Sequence, residues 1–277
     1  MTHSETEALR GKIVGKNYYK TIISSDTDVY DENGKTLLRF RTNVLPQKHI
    51  DKAYEAIKDF VHHRGGTRMS ANNGNTGLVK SNIMGYFDKW SISQNARFKN
   101  TGIKKPADCR LCAFNSEFPE KFENTIPLLK DIDKQYKLLC PKEYSSQRKA
   151  AESTPFHVKG TAFSTVTTNY NFTTSAHTDK GDWPEGFGNL VVIENGSSYN
   201  GSFTGFPQYG IAVDVREGDF LAMDVHRVHA NTPIELKDET SERISLVCYL
   251  RKNIVTKCAK QKMYDSKKLL KRLLNSK

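Results

Sequence analysis

Two histidines, an aspartate and an arginine in the second half of the chain have the types and the order of an iron and keto-acid site. His177 and Asp179 are separated by one residue, and His229 and then Arg243 follow along the chain. Two imidazoles and one carboxylate form the triad that holds non-haem Fe(II) and leaves three coordination positions open. A buried arginine binds the far carboxylate of 2-oxoglutarate through two parallel hydrogen bonds. The pattern therefore predicts an oxygenase that uses Fe(II), 2-oxoglutarate and O2.

The spacing of these residues leaves two questions open. His226 lies close before His229, and spacing does not decide which of the two histidines is the third ligand. Zinc also accepts histidine and aspartate, so the same residues are compatible with a zinc site. A lone His-x-Asp pair is common in proteins. The order His-x-Asp, His, Arg-x-Ser on consecutive β segments is more restrictive, and it favours the iron site.

Short strands must position the first two ligands. Residues 165–174 are rich in threonine, valine, tyrosine and phenylalanine, which is typical of a strand. Alternate residues of a strand face the same side, so His177 and Asp179 can reach one metal ion from its end.

Three further β segments carry the remaining candidates. Residues 211–215 and 219–223 predict two short strands around a turn, and the second leads to the two later histidines. Residues 244–250 predict a buried strand. Arg243, just before it, and Ser245 are two positions apart, so their side chains project to the same face.

The first half of the chain has helical and turn patterns. Residues 26–41 alternate around an Asn-Gly turn, which predicts a hairpin. Apolar residues at helical spacing over 50–61 predict a helix, and residues 122–139 predict another that Pro127 breaks or begins. The Gly- and Asn-rich stretch 64–77 predicts a lid or binding loop, or else a flexible surface connection.

This order of patterns predicts an α+β fold in a single composite domain over residues 1–277. We expect a jelly-roll core over about 156–252, supported by the helices and hairpin of 1–155. Residues 253–277 are rich in lysine and arginine and predict a basic C-terminal helix.

Charge and hydropathy narrow the function classes. The net charge of +11 favours a polyanionic partner, because neutralising phosphates releases counterions. There is no apolar run of membrane-spanning length and no apolar signal segment near the N-terminus. We therefore expect an intracellular protein, nuclear in a eukaryote and cytoplasmic in a bacterium or when phage-encoded. Its five cysteines are expected to be free thiols. The sequence gives no prediction of an oligomeric state.

Motifs around these residues resemble the TET/JBP family of Fe(II)/2-oxoglutarate-dependent DNA dioxygenases. The resemblance is closest to the thymine hydroxylase domain of the J-binding proteins. It is carried by residues 169–172 (NYNF), 177–182 (HTDKGD), 186–190 (GFGNL) and 209–219 (YGIAVDVREGD). Residues 229–233 (HANTP) and 243–249 (RISLVCY) are also similar to the closing motif of TET 5-methylcytosine dioxygenases.

The resemblance implies a double-stranded β-helix and assigns the site residues. It makes His229, rather than His226, the third iron ligand, and it implies that Arg243 and Ser245 bind 2-oxoglutarate. It also implies hydroxylation of the 5-methyl group of a pyrimidine in DNA. Such a methyl group is out of reach inside a duplex, so the substrate is a base flipped out of double-stranded DNA, or single-stranded DNA.

A departure from the TET pattern bears on the choice of base. The asparagine and histidine that read the base in TET enzymes align with Asp182 and Arg251. A carboxylate only accepts and a guanidinium only donates, so Asp182 on N3–H and Arg251 on a carbonyl would suit thymine. Asp182 is also able to accept from the amine of cytosine. Tyr249 and Asn171 are further candidates for contact with the substrate.

We therefore favour oxidation of thymine to 5-hydroxymethyluracil. A TET-like 5-methylcytosine dioxygenase is the first alternative. A 2-oxoglutarate oxygenase with a non-DNA substrate and a non-enzymatic binding module on the same fold are the others.

Overall fold

The computed structural model describes residues 1–66, 68, 71–75, 77–90, 92–101 and 109–258. Its helices are α1 His3–Glu7, α2 Gln47–Ile57, α3 Ile92–Thr101, α4 Ala113–Glu117, α5 Pro119–Leu139, α6 Pro141–Glu152 and α7 Lys252–Cys258. Its first strands are β1 Thr21–Ile23, β2 Thr27–Tyr30, β3 Thr36–Arg41, β4 Ser81–Phe87, β5 Arg110–Leu111, β6 Thr165–Tyr170 and β7 Gly188–Asn195. Its later strands are β8 Tyr199–Gly201, β9 Thr204–Phe206, β10 Ile211–Val213, β11 Phe220–Met223, β12 Ala230–Asn231, β13 Ile234–Leu236 and β14 Glu242–Tyr249. The predicted α+β class is confirmed.

Two sheets stack face to face, as in a jelly roll. The large sheet has the order β2-β3-β11-β7-β14-β6-β4-β5, and the small sheet has the order β1-β10-β9-β12. Strands β8 and β13 form a separate pair. From the first half of the chain, β1 pairs with β10, β3 with β11 and β4 with β6. The predicted boundary near residue 155 is therefore less sharp than the sequence indicated, because the supporting segment supplies strands to both sheets.

The large sheet is buried on both faces, since successive side chains of a strand point to opposite sides. On one face, Val191 of β7 and Leu246 of β14 pack in the core that α2 and α5 complete. On the other face, Leu190 and Val192 pack toward Phe206 and the small sheet. The space between the two sheets is where the polar residues of β14 point.

Helix α5 is continuous, so the prediction that Pro127 breaks or begins a helix is wrong. Proline at an interior position removes one backbone hydrogen bond and disturbs the preceding turn. Immediately after it, Leu128, Leu129, Ile132 and Tyr136 are buried against the large sheet and α2. Tertiary packing of this apolar face outweighs the local cost.

The hairpin predicted over residues 26–41 is present as β2 and β3. Its turn is held by Asp31, whose Oδ1 accepts from the backbone N–H groups of Asn33 and Lys35 at 2.9 Å each. Gly34 has a φ of 73°, which a residue without a Cβ adopts at little cost.

The cysteine expectation is wrong for two of the five residues. Cys109 and Cys258 form a disulfide, which joins the segment before β5 to α7. Composition and compartment predicted free thiols, but they carry no information that residues 149 positions apart lie together. Cys112, Cys140 and Cys248 are buried free thiols. Of the predicted basic C-terminal helix, α7 covers the start, and residues 259–277 lie outside the described residues.

Within the part of the chain that the structure describes, no helix combines the length and the apolar character that crossing a bilayer requires.

Candidate active site

Backbone pairing at the end of the small sheet brings the two ligand segments together. The N–H of His177 donates to the carbonyl of His229, and the N–H of His229 donates to the carbonyl of His177, both at 3.0 Å. The N–H of Asp179 donates to the carbonyl of Val225, also at 3.0 Å. These bonds hold residues 177–179 against the 225–229 segment, so that residues far apart in sequence share one site.

The three predicted ligand side chains converge on one point. Nε2 of His177 lies 3.8 Å from Oδ1 of Asp179, and Nε2 of His229 lies 3.8 Å from Oδ2 of Asp179. One ligand atom from each residue falls within 4.8 Å of the others, a geometry able to hold one metal ion. His226 is outside this group, because its Nε2 lies 3.1 Å from the carbonyl of Trp183.

Both imidazoles are oriented by backbone carbonyls. Nδ1 of His177 lies 2.7 Å from the carbonyl of Ser175, and Nδ1 of His229 lies 2.9 Å from that of Arg227. A carbonyl only accepts, so each Nδ1 carries the proton and each Nε2 offers a lone pair to the metal.

Electrostatics favour the ligand form of His177 and of Asp179. Burial and the neighbouring His229 lower the pKa of His177 to about 4, which keeps this imidazole neutral. Burial opposes ionisation of Asp179, but the two imidazoles outweigh it and lower the pKa of this carboxyl. The group therefore offers two imidazole nitrogens and one carboxylate oxygen, the donor set suited to Fe(II) with three further positions open.

A cavity of about 800 Å³, including its open mouth, adjoins the three ligands. Strands β6 and β14 form its floor from the inner face of the large sheet, where Asn169 pairs with Ser245 and Thr167 with Val247. Strands β9 and β12 add Thr204 and Asn231 from the small sheet. Polar side chains therefore line much of this space between the two sheets.

Arg243 lies two residues before Ser245 on the same strand and therefore on the same face. Ser245 lines the cavity, whereas Arg243 lies behind it, 5.9 Å from the ring centroid of Tyr199. Arg243 is 3% exposed. Its Nε and Nη2 are buried without a hydrogen-bond partner among the described residues. Burying a charged donor without a partner is costly, so the geometry fits an anionic ligand reaching past Ser245 to this guanidinium.

Three of the four residues predicted to contact substrate line the cavity, namely Asp182, Tyr249 and Arg251. Burial and the nearby Asp179 raise the pKa of Asp182 well above its ordinary value. The hydroxyls of Tyr249 and Thr167 lie 3.0 Å apart.

Asn171 does not line the cavity, and its predicted contact with substrate stays a prediction. Its Oδ1 accepts from the backbone N–H of Arg243 at 2.7 Å, and its Nδ2 donates to the carbonyl of Ser241 at 2.8 Å. Both ends of the amide are used by the backbone that leads into β14. The structure therefore gives Asn171 a role in shaping the start of this strand.

Residues that the sequence did not single out also reach the cavity. Arg68 does so from the Gly- and Asn-rich loop, and its Nε donates to Ser81 Oγ at 2.8 Å. Ser81 in turn donates to Asn169 Oδ1 at 2.7 Å, and Asn169 Nδ2 donates to Ser245 at 3.3 Å. The Gly and Asn content predicted a lid or binding loop, or else a flexible surface connection, but nothing local identified Arg68 within it.

A partly buried carboxylate beside Arg243, that of Glu242, anchors the start of β14. Glu242 accepts hydrogen bonds from Tyr54 Oη at 2.8 Å, Asn195 Nδ2 at 3.0 Å and Tyr170 Oη at 3.1 Å. Burial alone raises the pKa of Glu242, but these hydrogen bonds outweigh it and hold the pKa below the ordinary value of 4.5. The contacts tie β14 to α2, β6 and β7.

We expect Glu242→Gln to destabilise the fold by about 1–3 kcal/mol at neutral pH, because charge-assisted hydrogen bonds are lost. A depressed pKa in the folded state gives stability that is present above the unfolded-state pKa and is lost as pH falls through the folded-state pKa. The free-energy difference between wild type and variant should therefore shrink in acid, below about pH 4.5. Denaturant titrations across this range measure it. Glu239→Gln, at an exposed position, is the control and should show no such dependence.

Comparison with known proteins assigns the chain to a family of oxygenases. Residues 89–252, more than half of the chain, match the Tet_JBP family, the oxygenase domain of the 2OGFeDO superfamily. The bifunctional helicase and thymine dioxygenase JBP2 of Leishmania braziliensis is 31% identical over 234 residues, covering 83% of this chain and 20% of that protein. The thymine dioxygenase JBP1 of Trypanosoma brucei brucei is 31% identical over 173 residues, covering 62% and 19%. The chain thus spans about a fifth of the length of these relatives.

A solved structure shares the fold. NgTET1, in complex with 5mC DNA, superposes with a TM-score of 0.59 at 15% identity, covering 91% of this chain and 89% of that one. At this identity the likeness concerns the fold.

Proposed function

Because this chain belongs to the Tet_JBP family of 2-oxoglutarate- and iron-dependent oxygenases, we propose that it hydroxylates the 5-methyl group of thymine in DNA. The product is 5-hydroxymethyluracil. The observation that carries the proposal is the meeting of the His177, Asp179 and His229 ligand atoms beside a cavity with an unpaired buried guanidinium behind it. Thymine is favoured because the JBP1 and JBP2 relatives are named thymine dioxygenases.

The chain's residues divide the work of binding. His177, Asp179 and His229 would hold Fe(II), and the two Nδ1–H···O=C contacts fix the ring orientations. Arg243 would bind the far carboxylate of 2-oxoglutarate, with Ser245 beside it. With O2, the bound iron and keto acid supply the oxidant that replaces one methyl hydrogen by hydroxyl, with succinate and CO2 as the other products.

Asp182, Tyr249 and Arg251 would receive the base. They lie on the cavity wall close to the ligands, with Arg251 Nη1 3.9 Å from Asp182 Oδ1. A thymine stacked in a duplex cannot reach this recessed position, so the base is flipped out or comes from a single strand. The basic balance of the chain, at +11, suits contact with the phosphates on either side.

The proposal is tested by incubating the chain with Fe(II), 2-oxoglutarate, O2 and thymine-containing DNA. Nucleosides released by digestion are analysed by mass spectrometry, and succinate is measured in parallel. We expect 5-hydroxymethyluracil in amounts that match succinate and that require 2-oxoglutarate. With 18O2, the new hydroxyl should carry the label.

Parallel incubations separate the alternatives. Product from 5-methylcytosine DNA but not from thymine DNA would replace the proposal with the TET-like alternative. Succinate formation that neither DNA stimulates, with no 5-hydroxymethyl base, would point to a non-DNA substrate.

A further inference from the structure

The guanidinium at the base end of the cavity is held by a second carboxylate, Asp88. Arg251 Nε donates to Asp88 Oδ1 at 3.1 Å, and Arg251 Nη2 donates to Asp88 Oδ2 at 3.2 Å. Asn253 Nδ2 donates to the same Oδ2 at 2.7 Å. The Asp88 side chain is 1% exposed. This two-pronged contact fixes both the position and the plane of the guanidinium.

Two other groups confine the same guanidinium. A Cβ at Gly181 would lie 2.1 Å from Arg251 Nη1, so a side chain at residue 181 would push the guanidinium away. The ring of Phe87 lies 4.9 Å from Arg251 Cζ. Glycine at 181 therefore leaves room for the guanidinium in its present position.

One nitrogen of Arg251 remains for a ligand. Asp88 occupies Nε and Nη2, while Nη1 has no hydrogen-bond partner in the described part of the chain. Nη1 lies 3.9 Å from Asp182 Oδ1, too far for a hydrogen bond. Arg251 and Asp182 line the cavity, and Asp88 does not. The cavity wall therefore presents one fixed donor, Arg251 Nη1, next to the carboxyl group of Asp182.

We propose that Asp88 is a positioning residue for the choice of base and acts through Arg251, an inference that rests on the proposed function. Thymine presents a carbonyl at position 4 and an N3–H, whereas cytosine presents an amine at position 4 and an N3 acceptor. A fixed donor beside an acceptor matches the thymine edge. With 5-methylcytosine in the same pose, the amine at position 4 would face this donor and the N3 acceptor would face Asp182.

Asp88 and Asp182 compete for the Arg251 guanidinium, which is why the contact with Asp88 affects the base site. Without Asp88, Arg251 has a nearby alternative partner in Asp182, and a small rotation would close their 3.9 Å gap. The two cavity groups would then bind each other, and neither would be free for the base. Asp88 keeps them apart.

The test uses oligonucleotides with one reactive base, either a single thymine or a single 5-methylcytosine in an otherwise thymine-free strand. The readout is the ratio of kcat/KM for the two substrates. We expect Asp88→Asn to lower the thymine preference by roughly tenfold, the effect of one well-placed hydrogen bond. Asp88→Glu, which restores a carboxylate, should recover part of that preference. Succinate formed without DNA should be unchanged.

Gly181→Ala perturbs the same guanidinium from the opposite side and should lower the preference as well, which keeps the test valid if Asp88→Asn fails to fold. Asp28→Asn is the matched control, because Asp28 pairs with Arg39 at 2.7 Å and Arg41 at 2.8 Å on the hairpin, away from the cavity. An equal fall for both substrates in the Asp88 and Gly181 variants would overturn the inference and leave the proposed function standing. A wild-type protein that hydroxylates neither base would overturn both.

Discussion

Asp179→Ala is expected to reduce hydroxylation to below about 1% of the wild-type rate, because changes outside the ligand shell of a metal already cost roughly 10–100-fold. The variant removes the one carboxylate ligand from a group whose other members are imidazoles. Affinity for Fe(II) should fall together with turnover. Titration with Co(II), followed by its visible absorption, measures metal binding without requiring catalysis.

The matched control for this experiment is His226→Ala. His226 lies near the ligands in sequence, but its Nε2 contacts the Trp183 carbonyl instead of the metal group. It should retain Co(II) binding and most of the turnover. Full activity in Asp179→Ala, or a complete loss of metal binding in His226→Ala, would show that the ligand set is wrong.

Arg243→Ala is expected to raise the KM for 2-oxoglutarate by roughly 100-fold or more, in line with the loss of one partner from a buried charge pair. The native Nε and Nη2 have no protein partner among the described residues, so removing them leaves no protein acceptor unsatisfied. Metal binding should be unchanged, since Arg243 is not one of the ligands. Steady-state kinetics with varied keto acid measure this shift.

Two substitutions sharpen the interpretation. Arg243→Lys keeps the charge but loses the planar fork, so its KM should lie between those of wild type and Arg243→Ala. Arg216→Ala removes the other arginine against Tyr199, 4.4 Å from the ring, which is paired with Asp214 and partly exposed. Its KM should stay near the wild-type value. An unchanged KM in Arg243→Ala would remove this residue from keto-acid binding.

Some features of the site could be predicted from the sequence because they depend on short motifs and on the alternation of side chains along a strand. The His-x-Asp spacing, the later histidine and the Arg-x-Ser pair are each short motifs on segments that alternate like strands. The sequence therefore predicted the residues that the structure brings together as ligands, and it placed Arg243 and Ser245 on one face of a strand. For Asn171, contact with substrate stays a prediction, and the motif match did not show that its amide is used by backbone hydrogen bonds.

Other features depend on contacts between distant parts of the chain. Spacing alone left His226 and His229 equivalent, and the cross-strand pairing of His177 with His229 separated them. Asp88 is an isolated aspartate directly after β4. Its contact with Arg251, 163 residues further along the chain, is visible only in the folded structure. The entry of Arg68 into the cavity and the Cys109–Cys258 disulfide are of the same kind.

By itself, the order of side-chain types along the chain determined the α+β class, the three candidate iron ligands as a group and Arg243 as the candidate keto-acid arginine, because strand alternation turns sequence spacing into a shared face. Only the tertiary structure decided which residue of the Gly- and Asn-rich loop reaches the cavity and which carboxylate holds Arg251. Those outcomes depend on how two sheets and their helices pack, and packing brings together residues whose separation in sequence carries no signal.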